Sequence, residues 1–315
     1  MNINAKDYTW QVILNPNAFL RKSSKFWKNI ENKLNEKQID YQNHITSSID
    51  EAKNKIISLC MSGKRHFLVV GGDGSLNVFI NAVMKSKVNS SEVYAAMIPI
   101  GTGNDWSRTL GYSNNYLDAI DYLDNGYFMN HDVGLIETVY NEKITDSRYF
   151  INIAGFGFDG EIIANVFKRK SKYFANQLYL INLLKTLLTY KPHLATLITN
   201  EAITTKNIFT LAVGIGQYNG KGMRQCPEAI PNDGLFDVVM IEKLNILKVI
   251  LNIKNLFKGT HLKTIKEASM FRTNYLEIQS NPFIKGEVEG ELLNHGYYRI
   301  VSNDSAINLL SASAL

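Results

Sequence analysis

Two glycine-rich turns constrain this chain more than any other feature: Val69-Val70-Gly71-Gly72-Asp73-Gly74-Ser75-Leu76-Asn77 and Ile98-Pro99-Ile100-Gly101-Thr102-Gly103-Asn104-Asp105. Each closes an apolar, β-branched run and opens a helical pattern; after the first, Leu76, Ile80, Val83 and Met84 fall at helical spacing. A strand that ends on glycines and turns into a helix offers backbone N–H groups with no side chain in the way, beside the positive end of the helix dipole. That arrangement holds a polyphosphate. Each turn also carries an acid, Asp73 or Asp105. Bare phosphate would be repelled by a carboxylate, so the pair points to a divalent cation between acid and phosphate, and hence to a magnesium-nucleotide site. Taken alone, the first turn also reads as a tight connection in which the Asp caps a helix.

The surrounding pattern places both turns in one sheet. Trp10–Leu14, Tyr41–Ile45, His66–Val70 and Tyr94–Ile100 read as strands, alternating with helices over about 22–37, after the capping run Thr46-Ser47-Ser48, and after the first glycine turn. Strands that alternate with helices pair in parallel, and such sheets bind ligands in the crevice beyond the carboxyl ends of their strands. Beyond Asp132 the texture changes. Val133–Tyr140, Arg148–Ile153, Leu194–Asn200, Phe209–Gly214, Phe236–Glu242, Tyr275–Ser280 and Tyr297–Ser302 read as strands separated by turns, an antiparallel sandwich interrupted by helices over about 172–190 and 245–258. The expected division is therefore an α/β domain over 1–132 and a β-sandwich over 133–302, with 303–315 as a candidate to return to the first domain.

Composition narrows the classes. A chain of 315 residues, 45% hydrophobic and 20% charged, is folded throughout and large enough for two cores. Cys60 and Cys226 lie far apart without CxxC or His-rich partners, which argues against zinc or a disulfide framework and for a reducing cytoplasm. The N-terminus lacks an apolar signal core, and no segment approaches the roughly 20 apolar residues of a membrane span. The net charge of +5 is spread along the chain. This excludes a basic nucleic-acid-binding arm and suffices for ATP or an anionic membrane surface. The six histidines, among them His66, His131 and His261, show no ligand or catalytic spacing, and both the GxxxxGK[ST] loop and the protein-kinase HRD loop are absent. The glycine runs Gly155–Gly160 and Gly214–Gly220 read as close backbone approaches within the sandwich.

Asn15-Pro16, Gly71–Asn77, Gly101–Asp105, Asn232-Asp233-Gly234-Leu235 and Glu289-Gly290-Glu291 together resemble the ordered motif series of the diacylglycerol kinase catalytic-domain family, particularly its soluble bacterial lipid kinases. The resemblance covers nearly the whole chain. It implies a Rossmann-like α/β nucleotide-binding domain followed by an antiparallel β-sandwich, as in NAD and diacylglycerol kinases, with the active site in the interdomain cleft. It implies ATP contacts at Asn15, Pro16, Asn17, Ala18, Phe19, Thr46, Gly72, Asp73, Gly74, Ser75, Leu76, Asn77, Val78 and Thr102. Asp73 and Asp105 fall at the acidic positions that organise catalytic Mg, and Asp233, with the carbonyls of Ile230 and Leu235, at a second, structural Mg site. As a bare sequence, Pro231-Asn232-Asp233-Gly234 is a turn whose carbonyls and carboxylate suit a hard cation.

Glu289 departs from the family's usual Asp-Gly-Glu. Phosphoryl transfer to an alcohol asks for a carboxylate to take the hydroxyl proton. On one continuous strand Glu287, Glu289 and Glu291 share a face. Glu291 occupies the family's proton-acceptor position, and Glu289 stays a second candidate. The implied activity is ATP- and Mg-dependent phosphorylation of a lipid hydroxyl, diacylglycerol first, with sphingoid bases, ceramide or phosphatidylglycerol as rival acceptors. An NAD kinase shares the GGDG turn but fits the long sandwich less well, and a catalytically silent lipid- or nucleotide-binding regulator is the rival from another class. A lipid kinase lacking a membrane span meets its substrate peripherally. Lys243–Lys266 interleaves Leu244, Leu247, Ile250, Leu251, Phe257 and Leu262 with Lys248, Lys254, Lys258 and Lys263, a cationic amphipathic pattern, and Leu178–Leu184 is a second candidate contact. A homodimer is compatible with this reading.

Overall fold

Three consecutive strands with scarcely an exposed residue form the centre of the first part of the molecule: β1 (Trp10–Leu14), β3 (His66–Gly71) and β4 (Tyr94–Pro99). Uninterrupted burial of this kind requires cover on both faces, as in a parallel sheet flanked by helices. The computed structural model describes residues 4–14, 23–167 and 185–312. Within it β2 (Tyr41–Ile45) pairs with β1, β1 with β3 and β3 with β4, all parallel, and β2 forms a largely exposed edge. The helices α1 (Ser23–Glu36), α2 (Ile49–Met61) and α3 (Asp73–Lys85) lie between these strands in sequence, followed by α4 (Asp105–Thr109) and α5 (Asp118–Asn125). Ser48 caps α2 by accepting the Glu51 N–H, as the sequence pattern anticipates. The apolar faces of α1 and α5 bury Ile30, Leu34, Ile120 and Leu123 against Trp10, Val12, Leu68 and Ile98.

Contacts divide the chain into two units, Met1–Val133 with Asn303–Leu315, and Gly134–Ser302. The last strand, Tyr297–Ser311, serves both: Asn308 and Leu309 pair in parallel with Tyr94 and Ala95 of β4, whereas Ile300 and Val301 pair antiparallel with Leu276 and Tyr275. The second unit is antiparallel. Its long strand Ile203–Gly214 pairs with His193–Ile198 through its first half and, through its second, with Ile153–Gly157 on one side and Phe236–Glu242 on the other. Phe150, Phe156, Leu211, Val213, Phe236, Leu276 and Tyr298 fill its core.

Two expectations are corrected and one strand is added. The strand expected over Arg148–Ile153 is two strands, Lys143–Phe150 and Ile153–Gly157, and the second keeps Gly155 and Gly157 inside it. Ala268–Thr273 is an additional strand, paired with Phe236–Glu242. Glu287, Glu289 and Glu291 do not share one strand face, because Glu289 and Gly290 form a two-residue hairpin turn with φ of 51° and 80°. Positive φ at both central residues suits the twist of a tight hairpin; Val288 pairs with Glu291 and Glu287 with Leu292. Of the helix expected over 172–190, residues 185–189 are helical and 168–184, including Leu178–Leu184, lie outside the described residues, as does the turn 15–18. Among the described residues no helix is long and apolar enough to cross a membrane.

Candidate functional site

The two glycine turns leave adjacent parallel strands and touch. A Cβ on Gly101 would stand 2.5 Å from Gly72 Cα, and one on Gly72 would stand 3.0 Å from Gly101 Cα. The Ile100 N–H donates to the Gly71 carbonyl at 2.9 Å, fastening the turns together. Asn104 takes the left-handed conformation, φ 53°, and its side-chain amide donates to the Pro99 and Gly101 carbonyls. Asparagine tolerates this region better than most residues because its side chain bonds locally.

Asp73 opens α3 but spends its carboxylate on a different helix. Its Oδ2 accepts the Asp105 N–H and its Oδ1 the Trp106 N–H, both at 3.1 Å, so it caps α4 across the two turns. Asp105 is buried, with Oδ1 3.6 Å from Arg108 Nε. Both carboxylates converge on Gly103, where a Cβ would lie 3.0 Å from Asp73 Oδ2 and 3.7 Å from Asp105 Oδ2. Trp106 is anchored behind them. Its Nε1 donates to His131 Nε2 at 3.3 Å, while His131 Nδ1 donates to the Asp132 carbonyl at 2.7 Å. Complete burial lowers the His131 pKa to about 4, so the ring is a neutral strut.

Gly72, the N-cap of α3, offers no side-chain cap; its carbonyl takes the Ser75 and Leu76 N–H groups at 2.9 and 3.2 Å, so the N–H groups of Asp73 and Gly74 are the ones at the open end of the helix. A Cβ on Gly74 would meet nothing within 4 Å. Of the nucleotide contacts expected from the sequence, Gly72, Asp73, Gly74, Ser75 and Thr102 lie on these turns, and Thr102 is exposed. The Leu76 side chain is buried in the core, so only its backbone can face a ligand; Asn77 accepts from Asn81, and Val78 lies one residue further along α3. Thr46 sits beyond β2, its N–H on the Leu14 carbonyl at 2.9 Å. Asn15, Pro16, Asn17, Ala18 and Phe19 lie outside the described residues.

In the second unit the three glutamates of the hairpin have different environments. Glu291 is exposed and pairs with Arg148 at 3.3 Å. Glu289 Oε1 accepts the N–H groups of Ile151 and Asn152 at 3.1 and 2.8 Å, which gives it a structural task. Glu287 is buried. Its Oε2 accepts the Gly290 N–H at 2.8 Å, and its Oε1 lies near Asp159, since a Cβ on Gly155 would stand 2.7 Å from Glu287 Oε1 and 3.1 Å from Asp159 Oδ2. Burial above all, then the Asp159 charge, pushes the Glu287 carboxyl up to about 8. Burial also raises Asp159, against hydrogen bonds from Gln225 at 3.0 Å and Thr210 at 3.2 Å. The sequence does not show that these two acids meet. Its one legible signal is that an acid at 287 and another in the run Gly155–Gly160 each adjoin glycines, the mark of close approach.

Asp233 is exposed; its Oδ1 accepts the Leu235 N–H at 3.0 Å and its Oδ2 lies 4.0 Å from Arg272. Arg272 also donates to Asp237 at 2.8 Å and to the Glu228 carbonyl at 3.1 Å. A guanidinium thus already supplies positive charge beside this loop, and Ile230 is partly exposed. Among the described residues no three His, Cys, Asp or Glu side chains cluster as a metal site.

An α/β unit with paired glycine turns followed by an antiparallel sandwich defines a class shared by lipid and NAD kinases. Residues 9–136 match the diacylglycerol kinase catalytic domain and residues 152–310 the YegS C-terminal NAD kinase beta sandwich-like domain. The chain belongs to the diacylglycerol kinase catalytic-domain family of lipid kinases. It is 23% identical to "Putative lipid kinase YtlR" of Bacillus subtilis over 95% of this chain and 98% of that one. It is 22% identical to the diacylglycerol kinase of the same organism, over 80% of each. A crystal structure of a putative diacylglycerol kinase from Bacillus anthracis superposes with a TM-score of 0.77 at 20% identity, covering 96% and 97% of the two chains. Yeast NADH kinase shares the fold more distantly, with a TM-score of 0.52 at 8% identity over 98% and 84%.

Proposed function

We propose that this lipid kinase uses ATP and magnesium to phosphorylate a lipid hydroxyl, with diacylglycerol the leading acceptor and phosphatidic acid the product. The observation that carries the reading is the convergence of the Asp73 and Asp105 carboxylates on Gly103, beside a glycine-lined helix N-terminus with open space at Gly74. Backbone amides of Gly72–Gly74 hold the phosphates, and Thr102 borders them.

The donor set fits magnesium. Asp73 uses one lone pair on each oxygen for α4, and its remaining lone pairs and those of Asp105 are hard oxygen donors suited to a largely hydrated cation. Bound there, magnesium would offset the charge of the triphosphate. The lipid hydroxyl oxygen attacks the γ-phosphorus, the bond to the β–γ bridging oxygen breaks, ADP leaves, and the hydroxyl proton passes to Glu291. Glu291 suits this part because it is solvent-exposed and pairs with Arg148 across the surface, whereas Glu289 is engaged by two backbone amides. Asp233 with the Ile230 and Leu235 carbonyls is a further cation position in this reading, one that shares its carboxylate with Arg272.

Access to the lipid is assigned to the helix Ile246–Lys258. None of its residues is fully buried, and Leu247, Ile250, Leu251 and Phe257 are exposed together with Lys254 and Lys258. An apolar stripe edged with lysines suits an anionic bilayer. The decisive experiment incubates the protein with labelled ATP, magnesium and a total lipid extract, with Asp73→Asn as control. A labelled phosphatidic acid supports the reading, a labelled sphingoid or phosphatidylglycerol product changes the acceptor, and no labelled lipid removes it.

A further inference from the structure

Two glycines let a helix and a hairpin close around a pair of acids in the second unit. A Cβ on Gly160 would stand 2.3 Å from the Lys285 carbonyl oxygen, so the helix Phe158–Phe167 seats directly on the strand Gly286–Val288. Gly155 leaves open the gap into which both acids reach, Glu287 through Oε1 and Asp159 through Oδ2. Glu287 is 2% exposed, and Asp159 beside it is partly buried. Among the described residues no cation pairs with either of them.

Two carboxylates that crowd one such gap cannot both carry charge. The hydrogen bonds decide which of them keeps a proton. Asp159 receives two donors, the Gln225 amide at 3.0 Å and the Thr210 hydroxyl at 3.2 Å, and both favour its charged form. Glu287 receives the Gly290 N–H and only a long contact from Asn219, at 3.4 Å, and it faces the further charge of Glu289 in its own hairpin. The proton therefore belongs to Glu287. Of the other titratable groups around the pair, Cys226 and Tyr190 are held neutral by burial, and Glu161 is paired with Lys285 at 2.6 Å.

What Glu287 holds is the turn itself. Its Oε2 takes the Gly290 N–H at 2.8 Å, one residue before Glu291. An uncharged carboxyl can accept and donate at once, so Oε2 accepts from Gly290 while an O–H on Oε1 faces the Asp159 carboxylate. Loss of that proton sets two like charges in one gap, and their repulsion drives the Glu287 side chain off Gly290. We infer that Glu287, in its protonated form, is a positioning residue for Glu291: it fixes the hairpin through Gly290, and its ionisation releases the hairpin and lowers turnover. The inference rests on the lipid kinase reading and deepens it, because it names the group that keeps the proposed base in place.

The test compares wild type, Glu287→Gln and Glu287→Ala across pH, by lipid phosphorylation and by infrared spectroscopy. Glu287→Gln keeps an oxygen for Gly290 and an N–H for Asp159, gives up only the long Asn219 contact, and cannot ionise. Wild-type kcat should fall about tenfold from pH 7 to pH 9, as a group titrating near 8 requires when its protonated form is the active one, and Glu287→Gln should lack that fall. Glu287→Ala should lose about 10- to 100-fold in kcat at every pH. Its KM for ATP should be unchanged, because the proposed phosphate contacts lie in the first unit. Superimposable pH profiles for wild type and Glu287→Gln overturn the inference, and they do so even if Glu287→Ala fails to fold. The infrared band of a protonated carboxylic acid, present in wild type at pH 7, lost at pH 9 and missing from Glu287→Gln, reports the proton without any turnover. A wild type that lacks this band at pH 7 also overturns the inference, whereas the band without any lipid phosphorylated removes the kinase reading and leaves the proton on Glu287 standing.

Discussion

Asp73 caps Trp106: its Oδ1 accepts the Trp106 N–H at 3.1 Å, and its Oδ2 takes the Asp105 N–H at the same distance. One carboxylate therefore fixes where the second acid stands. Asp73→Asn keeps an oxygen for one of the two amides but presents an NH₂ to the other. The loss is comparable with that of a helix cap, about 0.5–2 kcal/mol. We expect a folded variant with a melting temperature lower by a few degrees and turnover reduced about 100-fold or more. Near-normal turnover would remove Asp73 from the metal site and leave it the cap alone.

Gly74 and Gly101 separate phosphate binding from folding. A Cβ at position 74 meets nothing within 4 Å, whereas one at 101 meets the Gly72 backbone at 2.5 Å. Gly74→Ala should keep or slightly raise stability, by up to about 1 kcal/mol in a helix, while placing a methyl group where the phosphates are proposed to lie. Gly101→Ala should cost about 1–3 kcal/mol by pushing the turns apart. Thermal melts with and without ATP check both; a Gly74→Ala variant that ATP still stabilises as it does wild type would contradict the proposed cradle.

The first unit is legible in the sequence because its signals are local. The apolar runs Trp10–Leu14 and Phe67–Val70 mark the strands, and the glycines mark where the chain turns into α3. The second unit hides its decisive features in pairings. Gly155 and Gly157 read as a close approach, but only the folded chain shows what approaches: Glu287 and Asp159 crowd the space a Cβ at 155 would need, and Tyr190 and the Phe209 carbonyl the space at 157. Glu289-Gly290 lacks the usual Asn-Gly or Asp-Gly signature, so a continuous strand is the natural reading until Val288 is seen paired with Glu291. The role of Asp73 as a cap is legible too, but the helix it caps is not its own.

Glu287 predicts a pH dependence of stability. Its folded pKa of about 8 lies well above the ordinary carboxylate value, so between those values the native state binds the proton that the unfolded chain releases. This contribution to stability is fully present below the unfolded pKa and is lost as pH rises through 8. Glu287→Gln cannot lose a proton and preserves the acceptor for Gly290. Its melting temperature should change little at pH 5 and exceed that of wild type by about 2–4 °C or more at pH 9. Parallel curves for the two proteins would show that Glu287 ionises normally.

Lys254 and Lys258 test membrane contact without touching the nucleotide. Each lysine near an anionic surface contributes about 1 kcal/mol, so reversing both to Glu should weaken binding to phosphatidylserine-containing vesicles at least about tenfold. ATP-induced stabilisation should be unchanged, because neither residue lies in the first unit. Vesicle sedimentation equal to wild type would place the docking surface elsewhere.

Glu289 and Glu291 answer differently to amide substitution. Glu291 is exposed and held only loosely, by Arg148 at 3.3 Å across a surface pair of the kind that contributes little. Glu291→Gln should therefore melt with wild type while losing about 100-fold or more in turnover, the effect of removing a general base. Glu289 accepts two backbone amides, Ile151 and Asn152, so Glu289→Gln trades charge-assisted hydrogen bonds for neutral ones and should lower stability by about 1–3 kcal/mol. Its turnover should recover most of the way at a temperature where both proteins are fully folded. The reverse pattern, a stable but inactive Glu289→Gln beside an active Glu291→Gln, would move the base to Glu289, and the longer side chain at that position would then be the reacting group rather than the brace of its hairpin.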